Sequence, residues 1–198
     1  MYKVVKDFER EIAKYCGSKY AVSVTSCTMA LLLCCEYLNI KNVSISIPHK
    51  TYVSVPQIII RANGRVLFDK RRWKGMYQLK PYPIWDSARL LTSGMYKRGQ
   101  FICLSLHWGK TLNLGQGGVI LCDDKKAYEW FKKARFDART EGKNPKDDEI
   151  TFIGHHCYMS PRDASDALTR LHFLPKHNKP LPNDDYPDLS NFKIFGGK

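Results

Sequence analysis

Short apolar, β-branched runs alternate with segments of helical periodicity along most of this chain, and that alternation restricts the fold more than any other feature of the sequence. Residues 6–16 put Phe8, Ile12 and Tyr15 at helical spacing, with Glu9, Arg10 and Glu11 among the polar positions and Gly17 as a stop. Tyr20–Val24 reads as a strand, Thr25-Ser26-Cys27-Thr28 as a tight polar loop, and the apolar stretch through Leu38 as a helix. Residues 43–47 form the next expected strand, 52–62 a helix with an irregularity at Pro56, and 65–68 a strand after the Asn63-Gly64 turn. Further strands are expected at 84–85, 101–106 and 119–122, and helices at 125–139 and 162–171. Strands separated by helices predict an α/β fold of three layers, α/β/α, with a mostly parallel sheet covered on both faces. Ligands of such sheets bind beyond the carboxyl ends of the strands, which directs attention to the loops that follow them.

The balance of 43% hydrophobic and 26% charged residues over 198 positions is that of one soluble globular domain. The longest apolar run, Met29 to Cys35, is far short of the roughly 20 residues a membrane span needs. The charged N-terminus lacks the apolar core of a secretory signal, so a cytoplasmic location is expected. Seven cysteines without a C-x-x-C pair read as reduced thiols, and no metal site is expected. The neighbours His155-His156-Cys157 do not change this, because adjacent loop side chains rarely converge on one ion. A net charge of +13 favours phosphorylated or polyanionic ligands. Basic groups such as Lys132, Lys133 and Arg135 read as solvated faces, and Arg71 or Arg72 as contacts for a diphosphate. Residues 172–198, with Pro175, Pro180, Pro182, Pro187 and a Gly196-Gly197 end, read as an extended or flexible tail.

Three loops after expected strands hold reactive groups. Thr25–Thr28 offers hydroxyls and amides at a helix N-terminus, which suits a phosphate and equally an ordinary N-cap. Asp86 follows the apolar Pro83-Ile84-Trp85, where a buried carboxylate needs a partner, structural or chemical. The run from Phe101 to Gly118 delivers Ser105, His107 and Lys110 from a buried strand into a glycine-rich turn. Lys110 is there either a surface lysine or a desolvated, nucleophilic amine.

Five segments occur in the order found in one family. "KYAVSVTSCTMALLL", "SIPHKTYVSV", "IWDSAR", "SLHWGKTLNLGQGGVI" and "GHHCYMSPRDASDAL" follow the helix that ends at Gly17, and together they resemble the DegT/DnrJ/StrS sugar aminotransferases. The resemblance implies a type I pyridoxal-phosphate-dependent large domain over residues 1–171, shortened between Asp69 and Asp86, with residues 172–198 as tail and the family's smaller C-terminal domain absent. It implies pyridoxal 5'-phosphate as cofactor, a keto sugar nucleotide as acceptor, glutamate or glutamine as amino donor, and a homodimer with shared sites. Lys110 would form the Schiff base and move the proton, and Asp86 would face the pyridinium nitrogen. Tyr52 would stack on the ring, and Ser26, Thr28 and Ser105 would hold the phosphate, with Gly115, Gly117 and Gly118 turning the chain close by. His156 stands where an asparagine usually reaches the neighbouring subunit's site.

Departures from the family's pattern are Cys27 at a glycine position of the phosphate loop, Arg89 in place of a glutamine near the ring hydroxyl, and Tyr158 in place of an arginine. Asp69 and Asp86 stand only 17 positions apart, so one sheet element is expected to be missing or reduced to a short piece near Tyr77–Leu79. Aminotransferase is therefore the first function expected, and a relative that binds the cofactor or dimerises without turnover is the second. Nucleic-acid binding comes last, because the basic residues are scattered and no nucleic-acid module is present.

Overall fold

The computed structural model describes residues 2–195; the Gly196-Gly197 end lies outside the described residues. The chain runs α1 (Lys3–Cys16), β1 (Tyr20–Val24), α2 (Cys27–Tyr37), β2 (Ser44–Pro48), α3 (Ser54–Arg61), β3 (Arg65–Asp69), β4 (Tyr77–Leu79) and β5 (Ile84–Ser87). It continues through β6 (Phe101–Ser105), β7 (Gly118–Cys122), α4 (Lys125–Ala134) and α5 (Pro161–His172).

Five strands form one sheet in the order β1-β7-β6-β5-β4, and β2 pairs with β3. A bridge between Ser46 and Lys80 ties that pair to the β4 edge, with mutual backbone bonds of 2.9 and 3.0 Å. The expected mostly parallel sheet is mixed: of the five ladders among the described residues, β2–β3 and β5–β6 are parallel. Connection length explains this. A parallel neighbour needs a crossover of a dozen or more residues, usually helical. The four residues Lys80-Pro81-Tyr82-Pro83 leave room only for a hairpin, so β4 returns antiparallel to β5. The glycine-rich turn between β6 and β7 carries no helix and also returns antiparallel.

Side-chain alternation along the strands builds the three layers. Val22, Val24, Cys103, Ile120 and Cys122 face one way, into a core shared with α2, α3 and α4. Ala21, Ile102, Leu104, Val119 and Leu121 face the other way, against α1 and α5. The helix α2 is apolar all round because the sheet, α3 and α4 all pack on it. All seven cysteines are free and buried.

Some expected boundaries shift for local reasons. The helix α3 starts at Ser54, with Pro56 in its first turn, where a missing N–H costs nothing, so no irregularity arises. The helix α4 stops at Ala134, and Asp137 and Ala138 then adopt positive φ of 58° and 61°. Arg135, expected on a solvated face, is fully buried. Its guanidinium pairs with Glu9, donates to the Ser23 carbonyl at 2.7 Å and reaches Glu141 at 3.1 Å. That cluster ties α1, β1 and the end of α4 together.

Beyond α5 the chain runs as an extended arm across the sheet's loop end. Asn178 donates to the Tyr15 hydroxyl at 2.9 Å, the Leu181 amide to the Arg89 carbonyl at 2.8 Å, and the Leu189 amide to the His49 carbonyl at 2.9 Å. Leu189 is buried, and Asp188 pairs with His49 at 2.9 Å. No helix among the described residues is long and apolar enough to cross a membrane.

Candidate active site

Loops after β1, β5 and β6 meet the start of α3 and the arm around a cavity of about 200 Å³. Its walls carry Ser26, Cys27 and Thr28 from the β1–α2 junction, Tyr52 and Ser54 from the approach to α3, and Asp86 from β5. Ser105, His107 and Lys110 come from the end of β6 and its turn, and Tyr186 from the arm. A larger, more open groove of about 660 Å³ between α1 and α5, lined by Glu11, Lys14, Tyr15, His172 and Lys176 among others, holds none of the candidate site residues.

The polar end is built on α2. Ser26 caps the helix, its Oγ accepting from the Met29 amide at 3.1 Å, which leaves its own hydroxyl proton to donate elsewhere. The Thr28 and Ser54 hydroxyls lie 2.8 Å apart. Close approach of β7 to this end depends on Gly118. A Cβ there would stand 2.3 Å from the Ser26 carbonyl carbon and 2.5 Å from the Cys27 nitrogen. Gly117 precedes it at φ 139° and bridges to Ser26.

Asp86 is 4% exposed. Its Oδ1 accepts from the Ala88 amide at 2.9 Å and its Oδ2 from the Tyr77 hydroxyl at 2.9 Å. Thr51 Oγ1 lies 2.5 Å from the same Tyr77 oxygen and donates to it, completing a buried relay into the carboxylate. Among the described residues no ion pair reaches Asp86. Burial consequently raises the Asp86 pKa, against the lowering effect of the Ala88 and Tyr77 bonds and of Lys110 and Arg89. Burial, followed by the Asp86 charge, pushes the Tyr77 phenol well up, so it stays a donor.

Lys110 is half-buried, and desolvation followed by the Arg89 charge lowers its pKa, with Asp86 opposing. Its amine is therefore freer of protons than an ordinary lysine's. Tyr52, 54% exposed, stands at the mouth with its ring 6.4 Å from that of Tyr186.

The cavity thus gathers nine of the residues singled out in the sequence: Ser26, Cys27, Thr28, Tyr52, Asp86, Ser105, His107, Lys110 and Gly117. Cys27 does not block the loop, because its side chain turns inward, with Sγ 3.6 Å from the Cys103 carbonyl oxygen and 4.0 Å from Asp86 Oδ1. Arg89 is not among the lining residues, although its neighbour Ala88 is; its side chain is turned to the arm, where it pairs with Asp185. His156 lies outside the cavity, its side chain 70% exposed and its Nδ1 2.8 Å from Asp137. Arg71, expected to meet a diphosphate, instead spans the Ser46 and Gln78 carbonyls at 3.0 and 2.6 Å. His155 binds Glu36 while His156 binds Asp137, so the two diverge, and no group of three metal-ligating side chains exists among the described residues.

Tyr77, Thr51, Ser54, Gln116 and Tyr186 were not singled out by the sequence. Tyr77 sits on a three-residue strand with no periodicity, and Tyr186 in a proline-rich segment whose return to the site leaves no local signal.

Solved structures sharing this architecture include sugar aminotransferases and a GDP-4-keto-6-deoxymannose-3-dehydratase, and the fold is that of the type I pyridoxal-phosphate-dependent aminotransferases. The sequence pattern of the DegT/DnrJ/EryC1/StrS aminotransferase family matches residues 1–71. AtS13 from Actinomadura melliaura superposes with a TM-score of 0.78 at 17% identity, over 88% of this chain and 61% of that one. For 3-amino-5-hydroxybenzoic acid synthase the values are 0.73 and 18%, over 87% and 56%. For Helicobacter pylori PseC, an aminotransferase involved in pseudoaminic acid biosynthesis, they are 0.72 and 16%, over 88% and 59%. The chain therefore spans less than two thirds of the length of these structures. No curated protein matches the sequence.

Proposed function

We propose that this chain is a pyridoxal-phosphate-dependent aminotransferase that carries an amino group from glutamate or glutamine to a keto sugar nucleotide. One observation carries the reading. A single cavity combines a hydroxyl-rich helix N-terminus, a buried carboxylate with neutral donors but no paired cation, and a half-buried amine of lowered pKa. Those three groups match the chemistry of a phosphate, a protonated ring nitrogen and an aldehyde. When bound, pyridoxal phosphate supplies an electron-accepting ring and a carbonyl carbon that reacts with amines.

The chain's own residues divide the remaining work. Ser26, Thr28 and Ser105 hold the phosphate together with the amides that begin α2. Asp86, oriented by Ala88 and Tyr77, would hold a proton on the ring nitrogen, and a cation there would offset the penalty of its burial. Lys110 acts as nucleophile and then carries a proton to and from the substrate carbon. Tyr52, at the mouth, would pack against the ring. The reading extends to a homodimer, supported by the exposure of His156 on the surface, and to a cytoplasmic protein, supported by seven unpaired cysteines. A stoichiometric burst of 2-oxoglutarate from glutamate and the cofactor-loaded chain, lost in Lys110→Ala, is the expected outcome. Loaded protein that releases none under any donor tested contradicts the reading.

A further inference from the structure

Arg89 and the arm make a contact that none of the roles above uses. The Arg89 Nη2 lies 2.7 and 2.9 Å from the two Asp185 carboxylate oxygens, and its Nε donates to the Tyr186 hydroxyl at 2.9 Å. The guanidinium also sits 4.7 Å from the Tyr186 ring centroid. The two partners of the ion pair differ in how firmly they are held. The Arg89 side chain is 14% exposed and fixed by Tyr186, whereas the Asp185 side chain is 64% exposed. Arg89 keeps Asp185 charged, holding its carboxyl below the usual range.

Fastenings on either side hold the arm while leaving this carboxylate free to turn. Leu181 bonds to the Arg89 backbone, Asn183 to the Trp73 carbonyl at 3.0 Å, and Leu189 to His49. Tyr186 stacks on Trp73 with ring centroids 6.1 Å apart. Asp185 therefore leaves the guanidinium by rotating its own side chain, with the arm in place. Because the Asp185 carboxylate is mostly in water, turning away from the guanidinium costs it little. A guanidinium that is fixed and largely desolvated is the preferred receptor for a carboxylate.

The cluster adjoins the reaction chamber, since Ala88 and Tyr186 both line the cavity that holds Lys110. An amino acid that brings its nitrogen to that chamber brings a carboxylate as well. Replacing Asp185 with the incoming carboxylate exchanges one anion for another, so the cation beside Lys110 is never left bare. We propose that Arg89 is the receptor for a carboxylate of the amino-acid donor and that Asp185 is its resting occupant, displaced when the donor enters. The proposal rests on the aminotransferase reading for the identity of the ligand.

The test is calorimetric titration of the full cofactor-free chain with glutarate, which has the carboxylates of glutamate but no amine. Asp185→Asn binds glutarate roughly three- to tenfold more tightly than the unaltered chain, because the competing anion is gone. Arg89→Gln weakens binding by at least roughly tenfold in either background. Arg89→Lys, which keeps the charge and guards against loss of the arm, falls between them. Unchanged affinity in both Asp185→Asn and Arg89→Gln overturns the proposal. The same proteins, incubated with pyridoxal phosphate, are scored for the visible band of lysine-bound cofactor. The glutarate pattern without that band sinks the aminotransferase reading and leaves a carboxylate receptor. The band without the glutarate pattern keeps the reading and sinks the receptor, and absence of both sinks both.

Discussion

Asp86 shows how one residue's stability effect and chemical role take opposite signs. Burial raises its pKa, so the folded chain holds that proton more tightly than the unfolded chain, whose group titrates near 3.8. Its contribution is then most favourable below the unfolded value and is lost as pH rises through the raised folded value. Asp86→Asn is expected to raise the urea midpoint of the cofactor-free chain at pH 7 and to change it less at pH 3, below the unfolded value, where the carboxyl is mostly protonated in both states. Equal shifts at both pH values contradict this. The carboxylate, Lys110 and the serines were legible because each follows a buried strand, where a polar side chain needs a reason. The partners that Arg89 and His156 take within the chain left no signal. Their side chains answer to Asp185 and Asp137, partners 96 and 19 positions away, which no local pattern announces.

Elements were legible where periodicity was long and failed where connection length decided. The helices α1 and α5 and the strands β6 and β7 lie close to their expected positions, since alternation and amphipathicity fix them. Strand direction was not, because it depends on short returns such as Lys80-Pro81-Tyr82-Pro83 rather than on the strands themselves. The shrinkage expected between Asp69 and Asp86 corresponds to the three residues of β4. At the junction of α2 and β7, packing makes a sharper demand. Gly118→Ala would drive a methyl into the Ser26–Cys27 backbone, which cannot yield as a side chain could. The expected loss is about 1–3 kcal/mol of stability by chemical denaturation, together with weaker affinity for inorganic phosphate. Unaltered stability and phosphate binding would mean that the helix N-terminus tolerates displacement and does not set the site.

Composition gave the whole molecule's charge without its placement. Of the arginines behind the +13, Arg71 braces β2 and β4, Arg89 holds the arm, and Arg135 is buried with Glu9, so part of the basic excess serves internal order. The arm itself was read only as extended or flexible, because its anchors are single residues, Leu189 and Tyr186, among prolines. Its return across the loop end joins the last third of the chain to the cavity formed by the first two. The proposed chemistry depends on this cavity holding pyridoxal phosphate on Lys110. Borohydride trapping after incubation with the cofactor, followed by peptide mass mapping across a pH series, tests it most directly. One adduct on Lys110, absent in Lys110→Ala, is the expected result. Its yield should rise with pH through a midpoint below the ordinary lysine value of about 10.4, because desolvation and Arg89 favour the free amine. Modification spread over the surface lysines, unchanged by Lys110→Ala, would contradict it.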